Sequence, residues 1–367
     1  MKRLLCLMSN MNTGGAETLL MKIYRKIDKS KYQMDFCINV EGSCFYTDEI
    51  TKMGGKIYHI PSKSESVREF KKCLADIVHK NRYEYVLRIT SNAAGFMDLK
   101  IAKKAGARVC AARSSNSSDG AGLKVKIAHR LGRLLYNRYV DVRFAPSDLA
   151  ARYTFGNKAY RNGSVAILHN GVDLDVFCYT PDAGKSIRDE FKIPDSVKVI
   201  GHIGRFMKQK NHEFLIDIFS EIHKCDKNTC LLLVGNGELQ EQIKDRVKEK
   251  GLQDCVIFAG VRADIPQLLS AMDVFLFPSL YEGMPNTVIE AQATGLPCVI
   301  SDSITREADI TGTVQYVSLN ESDSVWAEKV LEITNSGIKR HDMTECFKKN
   351  RYDIESVTED FVKLIFD

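Results

Sequence analysis

The side chains best placed to do chemistry lie late in the chain. There the apolar run 274–278 breaks into Ser279-Leu280-Tyr281-Glu282-Gly283-Met284-Pro285-Asn286-Thr287-Val288-Ile289-Glu290. The run reads as a buried parallel strand, Gly283 and Pro285 end it, and Asn286-Thr287 can cap a helix continuing through Val288, Ile289, Ala291 and Ala293. Glu282 then sits on a loop at the carboxyl end of a strand and Glu290 about one turn into the helix. Both border a helix N-terminus, whose backbone N–H groups favour phosphate. An anion seat with two hydroxyl acceptors suits a nucleotide sugar. Two other readings stay open: Thr287 to Glu290 fits a capping box, and a carboxylate pair is the usual equipment of a glycosidase.

A second cluster is cationic. Gly201-His202-Ile203-Gly204 leads into Arg205-Phe206-Met207-Lys208-Gln209-Lys210-Asn211-His212. A planar guanidinium and an ammonium straddling a strand-to-helix turn can grip a diphosphate and neutralise charge on a departing nucleotide. Three glycine turns follow other apolar runs. Gly14 and Gly15 open a helix as a close-approach turn requires. Val234-Gly235-Asn236-Gly237 and Phe258-Ala259-Gly260-Val261-Arg262 present backbone that can meet a nucleobase edge. The G-x-G-x-x-G spacing of a dinucleotide fold is absent, so hydride chemistry gains no support.

The elements that must position these groups alternate. Apolar strand patterns occupy 3–8, 34–39, 57–60, 85–90, 109–112 and 143–145, with helical patterns such as 18–27 and 69–80 between them. After Leu168-His169-Asn170-Gly171-Val172-Asp173 the alternation restarts. Strands are predicted at 199–203, 229–234, 256–258, 274–277 and 298–301, and helices at 211–224, 238–250, 266–270 and 286–294. The pattern predicts an α/β protein of two doubly wound halves, with ligands beyond the carboxyl ends of the strands. The expected domains are 1–168, 169–350 and a terminal helix, 351–367, packing back on the first half.

Composition narrows the class. A chain of 367 residues exceeds one comfortable core, and 44% hydrophobic residues is ordinary for a soluble protein. The apolar runs are too short to span a bilayer, and the first residues lack the apolar core of a signal peptide, so a cytoplasmic location is expected. Eleven cysteines without a C-x-x-C pair suit buried reduced thiols rather than a disulfide frame or zinc site. The net charge of +5 hides a local excess: Lys124, Lys126, Arg130, Arg133, Arg138 and Arg143 stand against Asp141 alone, with Ile127, Leu131, Leu134 and Leu135 at helical spacing. Such a helix can lie on anionic lipid, meet an acidic partner, or be a solvated face. No nucleic-acid partner is expected.

Taken in order, Gly14-Gly15-Ala16-Glu17, Asn170-Gly171-Val172-Asp173, Gly204-Arg205 with Lys210-Asn211, Val234 to Gly237, and Glu282 to Glu290 resemble the family 4 retaining glycosyltransferases of the GT-B fold, whose two Rossmann-like domains face a central cleft. Leu276-Phe277-Pro278-Ser279 and Gly295 to Asp302 are closest to members that build bacterial exopolysaccharides and capsules. The resemblance implies that Arg205 and Lys210 bind the donor diphosphate, Glu290 the ribose hydroxyls and Glu282 a hydroxyl of the transferred sugar, with Arg205, Lys210 and Glu282 the catalytic set. It further implies that Gly283, Met284 and Pro285 touch the sugar, Asn286 and Thr287 meet phosphate, Gly235, Gly260, Val261 and Arg262 lie along the donor, and Gly14 and Gly15 let the first domain close over the diphosphate. The donor implied is a UDP-sugar and the acceptor a saccharide, lipid-linked in view of the polysaccharide pathways and the basic stretch, at the inner membrane face. No cofactor or metal is implied, since the cations replace Mg²⁺, and Asp173-Leu174-Asp175 reads as a turn. The sequence departs from the family at Arg113-Ser114-Ser115-Asn116, where many relatives carry histidines that reach the sugar. Arg113 or Asn116 is then the candidate contact, and His169, His202 and His212 read as structural.

Retention with front-side attack is what the resemblance implies. A sugar-nucleotide epimerase or phosphorylase of the same fold, or a non-catalytic nucleotide-binding assembly protein, would share much of this equipment.

Overall fold

The computed structural model describes residues 1–12, 14–115, 122–337 and 339–367. The chain divides into two compact units: Met1–Gly171 with Ile354–Asp367, and Val172–Asp353. The crossings fall three residues beyond the sequence boundaries at 168 and 350.

In the first unit seven strands form one parallel sheet: β1 (Lys2–Leu7), β2 (Tyr32–Ile38), β3 (Ile57–His59), β4 (Tyr85–Thr90), β5 (Val109–Ser114), β6 (Val142–Ala145) and β7 (Ala166–Ile167), in the order β3-β2-β1-β4-β5-β6-β7. The two-residue β7 has no apolar run to announce it and exists by pairing with β6 through Phe144–Ala166 and Ala145–Ile167. Leu4, Cys6, Leu87, Ala111 and Phe144 pack on one face of the sheet, together with Ile354, Val357, Phe361, Ile365 and Phe366 of the helix Ile354–Phe366. Leu5, Leu7, Val86, Cys110 and Ala112 pack on the other. Burial on both faces explains why these strands read as continuous apolar runs rather than alternating ones. Gly171 belongs here by close approach: a Cβ at that position would lie 2.8 Å from Ile354 Cδ1.

The second unit repeats the plan with six parallel strands: β8 (Lys198–Ile203), β9 (Thr229–Val234), β10 (Val256–Gly260), β11 (Val274–Phe277), β12 (Cys298–Ser301) and β13 (Gln315–Val317), ordered β10-β9-β8-β11-β12-β13. The edge strand β13 escapes the sequence pattern because it is short and begins on an exposed glutamine. The chain enters at Val172, whose N–H donates to the Tyr352 carbonyl, and turns at once: the Asp173 carbonyl accepts from the N–H groups of Val176 and Phe177. In each sheet the winding direction reverses, between β1 and β4 and between β8 and β11. Such a reversal opens a crevice at the strands' carboxyl ends, because the two following connections leave toward opposite faces.

All eleven cysteines are free thiols, and burial pushes those of Cys37, Cys110 and Cys230 up to about 12. Among the described residues no helix is long and apolar enough to cross a membrane.

Candidate active site

The crevice of the second unit is flanked by the loops after β8 and β11, and these carry the candidate residues. The loop after β8 leaves at Gly204 and ends in the helix His212–Cys225. It is stitched to the loop after β11: Leu280 N–H donates to the Gln209 carbonyl at 2.9 Å, Gln209 Nε2 to the Tyr281 carbonyl at 2.9 Å, and Asn211 Nδ2 to the Pro278 carbonyl at 3.1 Å. Asn211 takes the left-handed conformation (φ 57°) that turns the chain into that helix, a role asparagine fills more readily than most residues.

This stitching brings Lys210 to Glu282. Nζ donates to Oε1 at 2.7 Å, and only 17% of the lysine and 9% of the glutamate side chain is exposed. Nζ also lies over the Phe277 ring, 4.6 Å from its centroid. The pairing does not exhaust either group. An ammonium has three donors and a carboxylate about four acceptor sites, so a phosphate and a sugar hydroxyl can share what remains. Arg205 differs: it is exposed, and among the described residues its guanidinium has no hydrogen-bonding or ionic partner.

The glycines let backbone meet backbone. A Cβ on Gly235 (φ +132°) would lie 2.2 Å from the Gly204 carbonyl oxygen, and one on Gly237 2.4 Å from that of Phe206. The loops are knit by Gly204 N–H to Val234 O, Phe206 N–H to Asn236 O and Gly235 N–H to Gly260 O, at 2.8–2.9 Å. Gly235 and Gly260 therefore carry the ends of β8, β9 and β10 side by side. Beyond Gly260, Val261 is 72% exposed, whereas Arg262 is held by Asp264 (2.6 Å) and Glu190 (2.5 Å), whose hydrogen bonds, Asp264 first, raise its pKa. That guanidinium is already neutralised by two carboxylates.

Gly283 and Met284 are half-buried and Pro285 buried, at the head of the helix Asn286–Ala293. Pro285, not Asn286 or Thr287, occupies the N-cap, and no side chain caps the helix, because Asn286 and Thr287 already stand inside the first turn. The capping-box reading fails with it: Glu290 is the fifth residue of the helix rather than the third, too far along to reach back to the cap. Glu290 remains half-buried and engaged in an interaction of its own. No acidic residue stands in that helix's first turn, where the macrodipole favours an anion.

In the first unit, Gly14 is the N-cap and Gly15 the first residue of the helix Gly15–Lys26, again without a side-chain cap. The Glu17 carboxylate lies over Gly14, and burial raises its pKa. Arg113, at the end of β5, is buried; Nη2 donates to Asn170 Oδ1 at 2.5 Å, and desolvation brings its pKa down to about 10. It ties β5 to the segment leading out of the unit. Asn116 lies outside the described residues. His169, in the same segment, is drawn down in pKa by burial.

Sequence reasoning missed Gln209 and Asn211, which lock the two loops, and the surroundings of His202 and His212, whose rings pack against each other and against Phe277 and Phe206. The Lys210-Asn211-His212 run at a helix start was their only signal.

The chain matches the family of glycosyl transferases group 1 over residues 197–336. It is 35% identical to EpsF of Bacillus subtilis (strain 168), whose name gives it as a glycosyltransferase, across 96% of this chain and 94% of that protein. A stretch covering 38% of this chain is 33% identical to 36% of an Escherichia coli enzyme named UDP-Gal:alpha-D-GlcNAc-diphosphoundecaprenol alpha-1,3-galactosyltransferase. Among solved structures, a glycosyltransferase from Rickettsia africae superposes with a TM-score of 0.79 over 99% of this chain and 97% of its own, at 18% identity. Anabaena HepE in complex with UDP-glucose gives 0.77 over 99% of both chains, also at 18%. Likeness at that identity speaks to architecture: two Rossmann-like parallel-sheet domains of the GT-B fold.

Proposed function

The chain belongs to the group 1 glycosyltransferases, and from that premise we propose that it moves a hexosyl group from a UDP-sugar to a hydroxyl of a lipid-linked saccharide, with retention, in bacterial exopolysaccharide or capsule assembly. The observation that carries this reading is the crevice between β8 and β11. Its two interlocked loops carry Arg205, which has no partner among the described residues, the Lys210–Glu282 pair and a helix with no acid in its first turn, and these support the reading. The names of relatives supply the finer terms: a UDP-galactose donor and a diphosphoundecaprenol-linked acceptor for one, amylovoran and Vi polysaccharide for others.

The chemistry asked of these residues is leaving-group stabilisation. As the bond from the anomeric carbon to the diphosphate lengthens, negative charge gathers on the phosphates, where Arg205, Lys210 and the N–H groups of Asn286 and Thr287 can meet it. On the same face the acceptor oxygen closes on the anomeric carbon and passes its proton to the departing phosphate oxygen. Glu282 accepts from a sugar hydroxyl and Glu290 from the ribose, Gly283 to Pro285 line the sugar, and backbone at Gly235, Gly260 and Val261 meets the base. Neither carboxylate serves as nucleophile, and neither metal nor cofactor takes part. Incubating the protein with a panel of nucleotide sugars and native membrane lipids, followed by mass spectrometry, tests this. A glycosylated lipid product is expected. Donors bound but never consumed would leave a nucleotide-binding assembly protein, and an epimerised nucleotide or a sugar phosphate would mark the other enzyme classes.

The helix Leu123–Tyr136 supports a membrane-bound acceptor. Its inner face docks through His129, which accepts from Ala93 N–H at 3.1 Å, and through Gly132, where a Cβ would lie 2.2 Å from the Ala93 carbonyl oxygen. Its outer face exposes Leu123, Ile127, Leu131, Leu134 and Leu135 beside Lys124, Lys126 and Arg130, with no acid in the helix. Such a face fits anionic lipid at the cytoplasmic side of a membrane. Cosedimentation with phosphatidylglycerol vesicles, weakened by salt and absent with phosphatidylcholine alone, is the expected result; equal recovery with both lipids would remove the electrostatic part.

A further inference from the structure

The Phe277 ring under the Lys210 ammonium belongs to a chain of packed aromatic and imidazole rings. Phe206 stacks on His212 (centroids 4.2 Å apart, 18° between planes), His212 meets His202 edge-on at 4.8 Å, and His202 stacks on Phe277 at 5.4 Å, the ring under the Lys210 ammonium. Gly204 closes the arrangement. A Cβ there would lie 2.9 Å from His202 Nε2 and 3.4 Å from both Cγ and Cδ of Lys210, so the imidazole edge and the lysine stem converge on the space that residue 204 leaves empty, and a side chain there would press on the imidazole.

As core residues the two histidines are poor choices. His202 Nδ1 is 2.9 Å from the Leu276 carbonyl, but its Nε2 and both ring nitrogens of His212 are buried with no partner among the described residues. Unpaired buried polar atoms destabilise a fold, and a hydrocarbon ring would avoid them. Burial above all, then mutual repulsion and Lys210, hold His202 well below its usual pKa, and burial followed by Lys210 holds His212 at about 4. Both rings are therefore neutral near pH 7 and do not compete with Lys210 for Glu282.

We propose that His202 and His212 are positioning residues: with Phe206 and Phe277 they form two stacked pairs set edge-on to each other, a packed support that fixes the Lys210 stem, holding its ammonium against Glu282 and leaving its other N–H bonds for the donor's phosphates. This rests on the donor-binding role of Lys210 proposed above. A long flexible side chain gains its grip from being held in one geometry, and the packed rings supply that hold.

The test compares His212→Ala with Leu231→Ala, which hollows the same core cluster away from the loop. Two quantities are read well below each variant's melting temperature: the rate of reductive methylation at Lys210, by mass spectrometry without donor, and the donor KM against kcat. His212→Ala is expected to speed Lys210 labelling and raise donor KM by roughly tenfold each, whereas Leu231→Ala loses stability with both readings native. His212→Phe, which keeps the stack on Phe206, restores both. Should His212→Ala fail to fold, His212→Leu fills the volume without the flat stack and carries the same expectation. The proposal is overturned if the position-212 variants match Leu231→Ala within about twofold in both readings. If native protein turns over no nucleotide sugar, the transferase reading fails, while Lys210 labelling still decides whether the support exists.

Discussion

The two sheets reverse at equivalent places, yet their crevices are armed differently. At the first, the cation is Arg88 of β4, whose Nη1 donates to the Leu7 carbonyl at the end of β1 and whose Nε lies 3.1 Å from the buried Asp98; Lys63 pairs with the same carboxylate. Charge there is answered inside the fold. At the second, Lys210 pairs with Glu282, whereas Arg205 has no partner among the described residues. The helix starts differ in the same sense, since Gly15–Lys26 carries Glu17 in its first turn and Asn286–Ala293 carries no acid there. Topology makes two crevices, and among the described residues an unpartnered cation distinguishes the second, the one proposed to receive the donor's diphosphate.

The largest expected effect follows from that cation. Arg205→Ala should cut kcat by about 10²–10³, the scale of losing one donor to a developing oxyanion, with an unchanged melting temperature because the side chain is exposed. Turnover within a few-fold of native would show that the unpaired cation is idle. Asp98→Ala is the complementary cut. It leaves Arg88 and Lys63 without their counter-charge, at a cost of about 3–5 kcal/mol to the first unit, while the folded fraction keeps its kcat. Trp326, the chain's single tryptophan, is buried in the second unit, so its fluorescence transition should stay put while far-ultraviolet circular dichroism shows an earlier one. If kcat fell with intact structure, the first crevice would be part of the chemistry.

Acid should separate the crevices again. His212 titrates near 4 in the fold against about 6.5 unfolded, so the unfolded chain binds the extra proton between those values. Its contribution is complete above pH 6.5 and is lost as pH falls through 4, about 3 kcal/mol in all. His202 is displaced in the same direction and adds to the slope. The Trp326 transition is therefore expected to fall in denaturant midpoint from pH 7 to pH 4.5, and His212→Phe to flatten that fall. An unchanged slope in the variant would place the acid sensitivity elsewhere.

Much of the fold was legible in the sequence because parallel strands buried on both faces are written as apolar runs; 85–90, 229–234, 274–277 and 298–301 coincide with β4, β9, β11 and β12. The short edge strands β7 and β13 were not, since they depend on pairing rather than on their own burial. At the site, Glu282, Lys210 and Arg205 were legible as residue types after strands. That the first two touch was not: the Gln209 and Asn211 hydrogen bonds that draw their loops together span about seventy positions. The glycines were read as openings for ligand, whereas Gly235 and Gly237 first serve backbone packing. Histidines in a strand and at a helix start give no sequence signal of the rings that stack against them.

The smallest effect sharpens the comparison at the glycines. Gly235→Ala sets a Cβ against a backbone oxygen in a left-handed conformation, so neither chain nor rotamer can give way, and a loss above about 2 kcal/mol is expected in the Trp326 transition. Gly14→Ala should be nearly silent. Its φ of −146° suits any residue, and its Cβ would meet only Glu17 Oε2 at 2.4 Å, the far end of a side chain that can turn away. Stability should stay within about 0.5 kcal/mol of native, and the freed Glu17 carboxyl should titrate closer to its ordinary range, readable by carboxyl-labelled NMR. If the variant is as stable as native and yet loses turnover, the fold does not need the glycine but an incoming group does. The first crevice would then be armed by bare backbone where the second is armed by charge. If turnover also holds, Gly14 has no role beyond leaving room for Glu17.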